Sequence, residues 1–173
     1  TGTLNIAQLN QFEGFCKQHL HSNPYTQSEI EGLIGGSATA ILDDRRCDNV
    51  FNVNSEFYLQ QRGVHVSSEA RRVLQFKDVC ANGGTIQELG NLMNESGASC
   101  AGDFDCSCEE LDQITKLALQ NGAVGSRLTG AGWGGSTVSL IDEKDVDTFI
   151  QKMHDSYYKN NERAKAMSDQ KMY

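Results

Sequence analysis

Proline is almost missing from this chain: Pro24 is the single example, and beside 17 glycines it leaves a composition that is neither proline-rich nor collagen-like. No apolar run approaches the roughly 20 residues that cross a bilayer, so no membrane-spanning helix and no membrane partner are expected. Basic residues are in deficit, with 15 Lys and Arg against 23 Asp and Glu, a formal charge of −8. Phosphate backbones are held by Lys and Arg, so this balance argues against nucleic acid as a partner. What is present suits a folded domain: 38% of residues are apolar and 22% charged, outside the disordered class. A chain of 173 residues typically buries about 68–70% of its unfolded surface, which is enough for a core without disulfides, and one domain over residues 1–173 is expected.

The chain opens Thr1-Gly2-Thr3, with neither an initiator Met nor a basic-apolar signal, and an excised piece of a longer protein is the reading this suggests. Six cysteines, Cys16, Cys47, Cys80, Cys100, Cys106 and Cys108, are expected to be reduced thiols in a cytoplasmic protein. Cys100, Cys106 and Cys108 lie near Asp103 and Asp105, yet a second Cys-x-x-Cys pair or a close histidine is lacking, and no metal is expected. Asn94-Glu95-Ser96 is formally a glycosylation sequon that a cytoplasmic chain does not use.

Apolar positions Leu4, Leu9, Phe12, Cys16 and Leu20 recur at helical steps over residues 4–20, and Pro24 follows their end. Thr26 and Glu29 have capping-box spacing and open a short helix that Gly35-Gly36 stops. Residues 37–54 carry no clean period, and Asp43-Asp44-Arg45-Arg46 reads as a solvated loop. Residues 55–80 read as the longest helix, with Phe57, Val64, Ala70, Val73, Leu74 and Val79 as its apolar stripe. Thr85 and Glu88 form a second capping box before a helix over residues 86–95, and a cysteine-bearing loop is expected after it. Ser107 to Glu110 open a helix carrying Leu111, Ile114, Leu117 and Ala118, which Gly122 ends in a left-handed turn. Glu109, Glu110 and Asp112 could pair for acid–base work, but in a first helical turn they serve the dipole instead. His65 and Glu69, one turn apart, read as a helix-surface pair or a satisfied core histidine.

The period then shortens to two. Residues 123–129 and 136–141 read as antiparallel strands, and Asp142 caps a last helix with Val146, Phe149, Ile150, Met153 and Tyr157 on one face. A two-stranded hairpin is marginal alone, so a further strand is expected near residues 50–53 or beyond this chain. The fold class is therefore α+β, helices packed on a small antiparallel sheet. Between Gly122 and Gly135 stand six of the 17 glycines. Gly130-Ala131-Gly132-Trp133-Gly134-Gly135 leads into a strand, whereas dinucleotide and Walker loops open a helix, and Gly-Lys-Ser/Thr is absent; both readings are rejected. What remains is a backbone without Cβ atoms that another backbone or an anion can approach, or simply a long tight hairpin.

The string from Gly125 to Val138, Gly-Ser-Arg-Leu-Thr-Gly-Ala-Gly-Trp-Gly-Gly-Ser-Thr-Val, resembles the third signature motif of galactokinases in the GHMP kinase superfamily. Gln61 to Phe76, Leu92-Met93-Asn94-Glu95-Ser96 and Cys106 to Asp112 resemble other segments of the family, and Pro24-Tyr25 points to its eukaryotic N-acetylgalactosamine kinase and galactokinase branch. The resemblance implies a GHMP kinase C-terminal domain from an ATP- and Mg-dependent sugar 1-kinase, a transferase of carbohydrate metabolism acting on galactose or N-acetylgalactosamine. The family's sugar motif, phosphate loop and glycine-rich closing strand do not occur in the chain. By the same resemblance the catalytic base and most sugar contacts belong to an N-terminal domain, which is the implied partner, and the isolated chain is expected to be inactive and to need no cofactor. Gly130, Gly132, Gly134 and Gly135 are carried over as an architectural loop, phosphate-adjacent at most. A non-catalytic galactose sensor of the same family is the alternative that the resemblance leaves open.

Overall fold

The computed structural model describes residues 4–38 and 50–161. Asp43 to Arg46 and Cys47 lie outside them. The chain divides into two compact units, one up to Ser68 and one from Glu69 onward.

In the first unit, α1 (Ile6–His19) starts at Asn5, whose side chain accepts from the Gln8 amide while Gln8 reaches back to the Asn5 N–H. α1 buries Leu9 and Cys16, and the expected stripe is narrower than its spacing suggested: Leu4 and Phe12 are exposed. α2 (Gln27–Ile34) realises the Thr26–Glu29 capping box and ends at Gly35 in the left-handed conformation. Residues 50–53 form the helical turn α3 (Val50–Val53), not the strand expected there. The four residues follow the local i→i−4 bond from Asn54 to Val50, and no strand lies beside them among the described residues. Tyr25 and Phe57 exchange both backbone hydrogen bonds at 2.9 Å, and the carbonyl oxygen of Leu20 accepts from Gln60 Nε2. Gly63 lies so near Cys16 that a Cβ there would stand 2.7 Å from its sulfur.

Helix α4 (Leu59–Ala81) is the longest, as its uninterrupted sequence predicts. Its buried positions are His65, Ser67, Ser68 and Arg72, while Val73 is exposed. The expected apolar stripe is met only in part: Phe57, Val64, Leu74 and Val79 are half-buried, whereas Ala70 and Val73 are exposed. The hydroxyls can be buried because they donate within the helix, Ser67 to Gly63 O at 2.8 Å and Ser68 to His65 O at 3.1 Å.

The second unit is built around a hairpin. α5 (Ile86–Ser99) begins at the Thr85–Glu88 capping box and runs one turn further than the expected residue 95. It continues into a π-helical turn (Cys100–Phe104) where a loop was expected, closed by Asp105 at φ 62°. α6 (Glu109–Gln120) has Cys108 at its N-cap with no side-chain cap, and Ser107 donates instead to Asp112 Oδ1 at 2.6 Å. Gly122, at φ 115°, ends it. β1 (Gly125–Thr129) and β2 (Ser136–Leu140) pair antiparallel, Gly125 opposite Leu140 and Thr129 opposite Ser136. These are the two strands of the sheet among the described residues, so the α+β class with a small antiparallel sheet is the observed one. Asp142 caps a single 3-10 turn, after which α7 (Val146–Ser156) buries Met153 and leaves Ile150 exposed.

α6 joins two apolar clusters. Leu111 packs with Cys100, Cys106 and Leu128, and Ala118, seven residues on, packs with Ala123 and Met153. Two turns of one helix therefore hold β1 on one side and α7 on the other.

Candidate functional site

The hairpin loop has an unusual backbone. Gly130, Gly132, Trp133, Gly134 and Gly135 all have positive φ, between 53° and 135°, a run that non-glycine residues would strain to adopt. Trp133 is the exception that proves how firmly the loop is held. Its N–H donates to Cys106 O at 2.7 Å and its indole Nε1–H donates to Asp105 O at 3.1 Å. Gly132 lies flat on the same carbonyl, 2.1 Å from where its Cβ would be. The loop is thus tied to the end of the π-helical turn. Around Gly130, Gly134 and Gly135 nothing stands within 4 Å of a built Cβ, so the opposite side of the loop is open.

Beneath the loop, Arg127 of β1 enters a charged cluster that sequence spacing does not reveal. Its Nη1 lies 2.7 Å from Glu69 Oε1 and also donates to Ser96 Oγ. Glu69 further accepts from Arg72 Nε and Nη2 at 3.1 and 3.0 Å and from Ser96 Oγ at 2.7 Å. Burial pushes the Glu69 carboxyl up, but the Ser96 and Arg127 hydrogen bonds, the Arg127 charge and the Arg72 hydrogen bond outweigh it and hold the group below the usual carboxylate range. The His65–Glu69 spacing thus gives way to a carboxylate committed to two arginines and a serine.

α5 approaches β1 backbone to backbone. A Cβ on Gly90 would stand 2.4 Å from Val124 O, and one on Gly125 would stand 2.7 Å from Gly90 Cα. That proximity lets Asn94 bridge the strand, donating to Val124 O at 3.1 Å and accepting from Ser126 N–H at 3.0 Å. The sequon asparagine is therefore occupied as a structural clamp. Between α5, α6 and β1 lies an open cavity of about 260 Å³ lined by Asn94, Ser107, Asp112, Thr115, Lys116 and Arg127 among others.

Among the described residues no three His, Cys, Asp or Glu side chains are grouped to hold a metal ion, Cys100, Cys106 and Cys108 included. The five described cysteines are unbridged. Glu109, Glu110 and Asp112 stand in the first turn of α6, where their charge complements the helix N-terminus. Of the residues singled out in the sequence, the four loop glycines come together with Trp133. Glu69, Ser96 and Asn94 join through tertiary bonds that no local pattern foretells.

Residues 76–160 match the family model described as GHMP kinases C terminal. The chain is 36% identical over 176 residues to a galactokinase of Dictyostelium discoideum, an alignment that takes in 91% of this chain and 34% of that protein. It is 42% identical over 110 residues to a galactokinase of Saccharomyces cerevisiae, covering 58% of this chain and 21% of the relative. The chain spans about a third or less of the length of these curated relatives. The crystal structure of Lactococcus lactis galactokinase complexed with galactose superposes on 88% of this chain and 36% of its own, with a TM-score of 0.54 at 22% identity, a likeness of fold. No described helix is long and apolar enough to cross a membrane. The chain therefore carries, over residues 76–160, a C-terminal domain of the GHMP kinase family, homologous to that of galactokinases.

Proposed function

We propose that residues 1–173 form the C-terminal portion of a cytoplasmic, ATP-dependent sugar 1-kinase that phosphorylates galactose or N-acetylgalactosamine, and that an N-terminal domain outside this chain completes it. The observation that carries this reading is the tethered glycine loop, within a segment whose relatives are galactokinases. Gly132 fixes the loop to Cys106, and Gly130, Gly134 and Gly135 leave their backbone open to a body lying against it.

Mg-ATP would supply the phosphoryl group, with charge stabilisation and positioning as the main work of such a site. The Trp133 N–H and its indole N–H are engaged by Cys106 and Asp105, so neither is offered to a phosphate. Glu69 is bound to Arg72, Arg127 and Ser96, which leaves it poorly suited to receive a sugar proton. In this reading the nucleotide and its Mg ion are held chiefly by the N-terminal domain that the resemblance implies. The contribution of Gly130, Gly132, Gly134 and Gly135 is architectural: a cleft floor adjacent to phosphate.

Phosphoryl transfer from ATP to galactose and to N-acetylgalactosamine, measured with the purified chain, tests this division of labour. No turnover is expected, since the loss of base and phosphate loop together removes many powers of ten in rate. Turnover that disappears in Gly132→Val would overturn it.

A further inference from the structure

Cys100 and Cys106 are both buried and pack side by side in one cluster with Leu111 and Leu128. They bracket the π-helical turn, and Cys106 N–H donates to Cys100 O at 3.0 Å. A backbone bond of that length keeps the two Cα atoms inside the span of about 4.4–6.8 Å that a disulfide requires. The two residues that follow this turn supply both carbonyls that hold the glycine loop, Asp105 O for the indole and Cys106 O for the Trp133 amide. Neither thiol has a role in the proposed kinase reading.

We propose that Cys100 and Cys106 form a reversible dithiol–disulfide site, oxidised by low-molecular-weight disulfides, whose state is transmitted to the glycine loop through Cys106. In the exchange one protein thiolate attacks a sulfur of R–S–S–R and releases one R–S⁻. The second protein thiolate then displaces the other R–S⁻ from the mixed disulfide. Two S–H bonds and one reagent S–S bond are lost, one protein S–S bond is made, and both protons leave on two R–SH molecules. A disulfide draws the two sulfurs to about 2.05 Å and fixes the Cys106 side chain, and the Cys106 carbonyl carries both the Gly132 contact and the Trp133 amide bond, so an adjustment at Cys106 reaches the loop directly. Burial raises the Cys100 thiol, the Arg127 charge opposes it, and Cys106 and the Glu69 carboxylate add to it, so exchange is slow at neutral pH and faster as pH rises. Exposed Cys80 serves as the internal control, since it reacts without any opening of the core.

The test uses the full chain incubated with oxidised glutathione at pH 7 and pH 8.5, quenched with N-ethylmaleimide, digested and mapped by mass spectrometry. The expected product is a Cys100–Cys106 cross-link, two hydrogens lighter than the dithiol, beside a glutathione adduct on Cys80. It forms more slowly than the adduct, and faster at pH 8.5. Trp133 fluorescence should change with the same time course, recover with reductant and stay constant in Cys100→Ser. If Cys80 is fully modified while Cys100 and Cys106 still carry only N-ethylmaleimide, or if Cys106 pairs with another cysteine, the site is overturned. A cross-link that forms without any change at Trp133 overturns the link to the loop. The mapping is made on the unmodified chain, so it stands even if a serine variant folds poorly.

Discussion

Gly132 and Cys106 meet backbone to backbone: the carbonyl oxygen of Cys106 stands 2.1 Å from where a Gly132 Cβ would lie, and the same oxygen accepts the next amide, that of Trp133, at 2.7 Å. Gly130 offers a matched comparison, because its φ of 90° is close to the 86° of Gly132 but no atom lies within 4 Å of its own Cβ position. Alanine at either site bears the strain of a positive φ, roughly 1–2 kcal/mol. At Gly132 it must also displace a backbone carbonyl. Gly132→Ala should therefore cost about 3 kcal/mol or more, and Gly130→Ala clearly less, read as urea unfolding midpoints. Equal losses would mean that the contact does not hold the loop.

The Gly90–Gly125 approach sets how near α5 lies to β1. Gly90→Ala places a methyl 2.4 Å from Val124 O and forces helix and strand apart, stretching both hydrogen bonds of Asn94. A loss of about 2–3 kcal/mol is expected. Gly97→Ala, three residues from Asn94 and facing Arg127 Cβ at 3.3 Å, needs only a small adjustment and should cost less. The ratio of the two in urea denaturation checks the packing.

Glu69 gives the chain a pH dependence with a definite sign. Its folded carboxyl lies below the ordinary value of 4.5, because Ser96, Arg127 and Arg72 overcome the upward push of burial. The stability it contributes is therefore fully present above about pH 4.5 and is lost as pH falls through the lower folded value. Glu69→Gln should cost about 1–3 kcal/mol at pH 7, a range reduced for the part of the cluster that solvent screens. The gap between wild type and variant should narrow by pH 3. A gap that is unchanged between pH 7 and pH 3 would show that the carboxylate charge is not what binds the cluster.

What the sequence made legible was local. The Thr26–Glu29 and Thr85–Glu88 boxes form as their spacing predicts, since each needs only residues three apart. The hairpin is legible because alternation and a glycine cluster coincide, and its strands differ from expectation only at their outer ends. The π-helical turn was not, because its shape depends on Asp105 taking a positive φ and on Cys100 and Cys106 packing against Leu111 and Leu128. The polar buried face of α4 was missed for a related reason. Its serines pair within the helix, and Arg72 finds Glu69, so hydropathy alone does not reveal that these polar residues are the most buried ones. Arg127 was visible as part of a motif, but its partner lies 58 residues away, a pairing that only the fold creates.

Trp133 is at once tethered and exposed. The residue is 66% exposed, yet its indole N–H and its backbone amide are bonded to Asp105 O and Cys106 O just past the π-helical turn, so the tether lies within the domain while the side chain remains open to solvent.

The central claim, that this chain brings a preformed cleft floor to a sugar kinase and leaves catalysis to another domain, is tested most directly by a chimera. This chain replaces the matching third of the Dictyostelium galactokinase, cooperative unfolding is verified, and ATP-dependent phosphorylation of galactose is measured. The account predicts turnover by the chimera, none by the chain alone, and a loss of at least about a hundredfold in kcat on Gly132→Val, roughly 2.7 kcal/mol of transition-state stabilisation. A folded chimera without turnover, or one whose turnover is untouched by Gly132→Val, would contradict it.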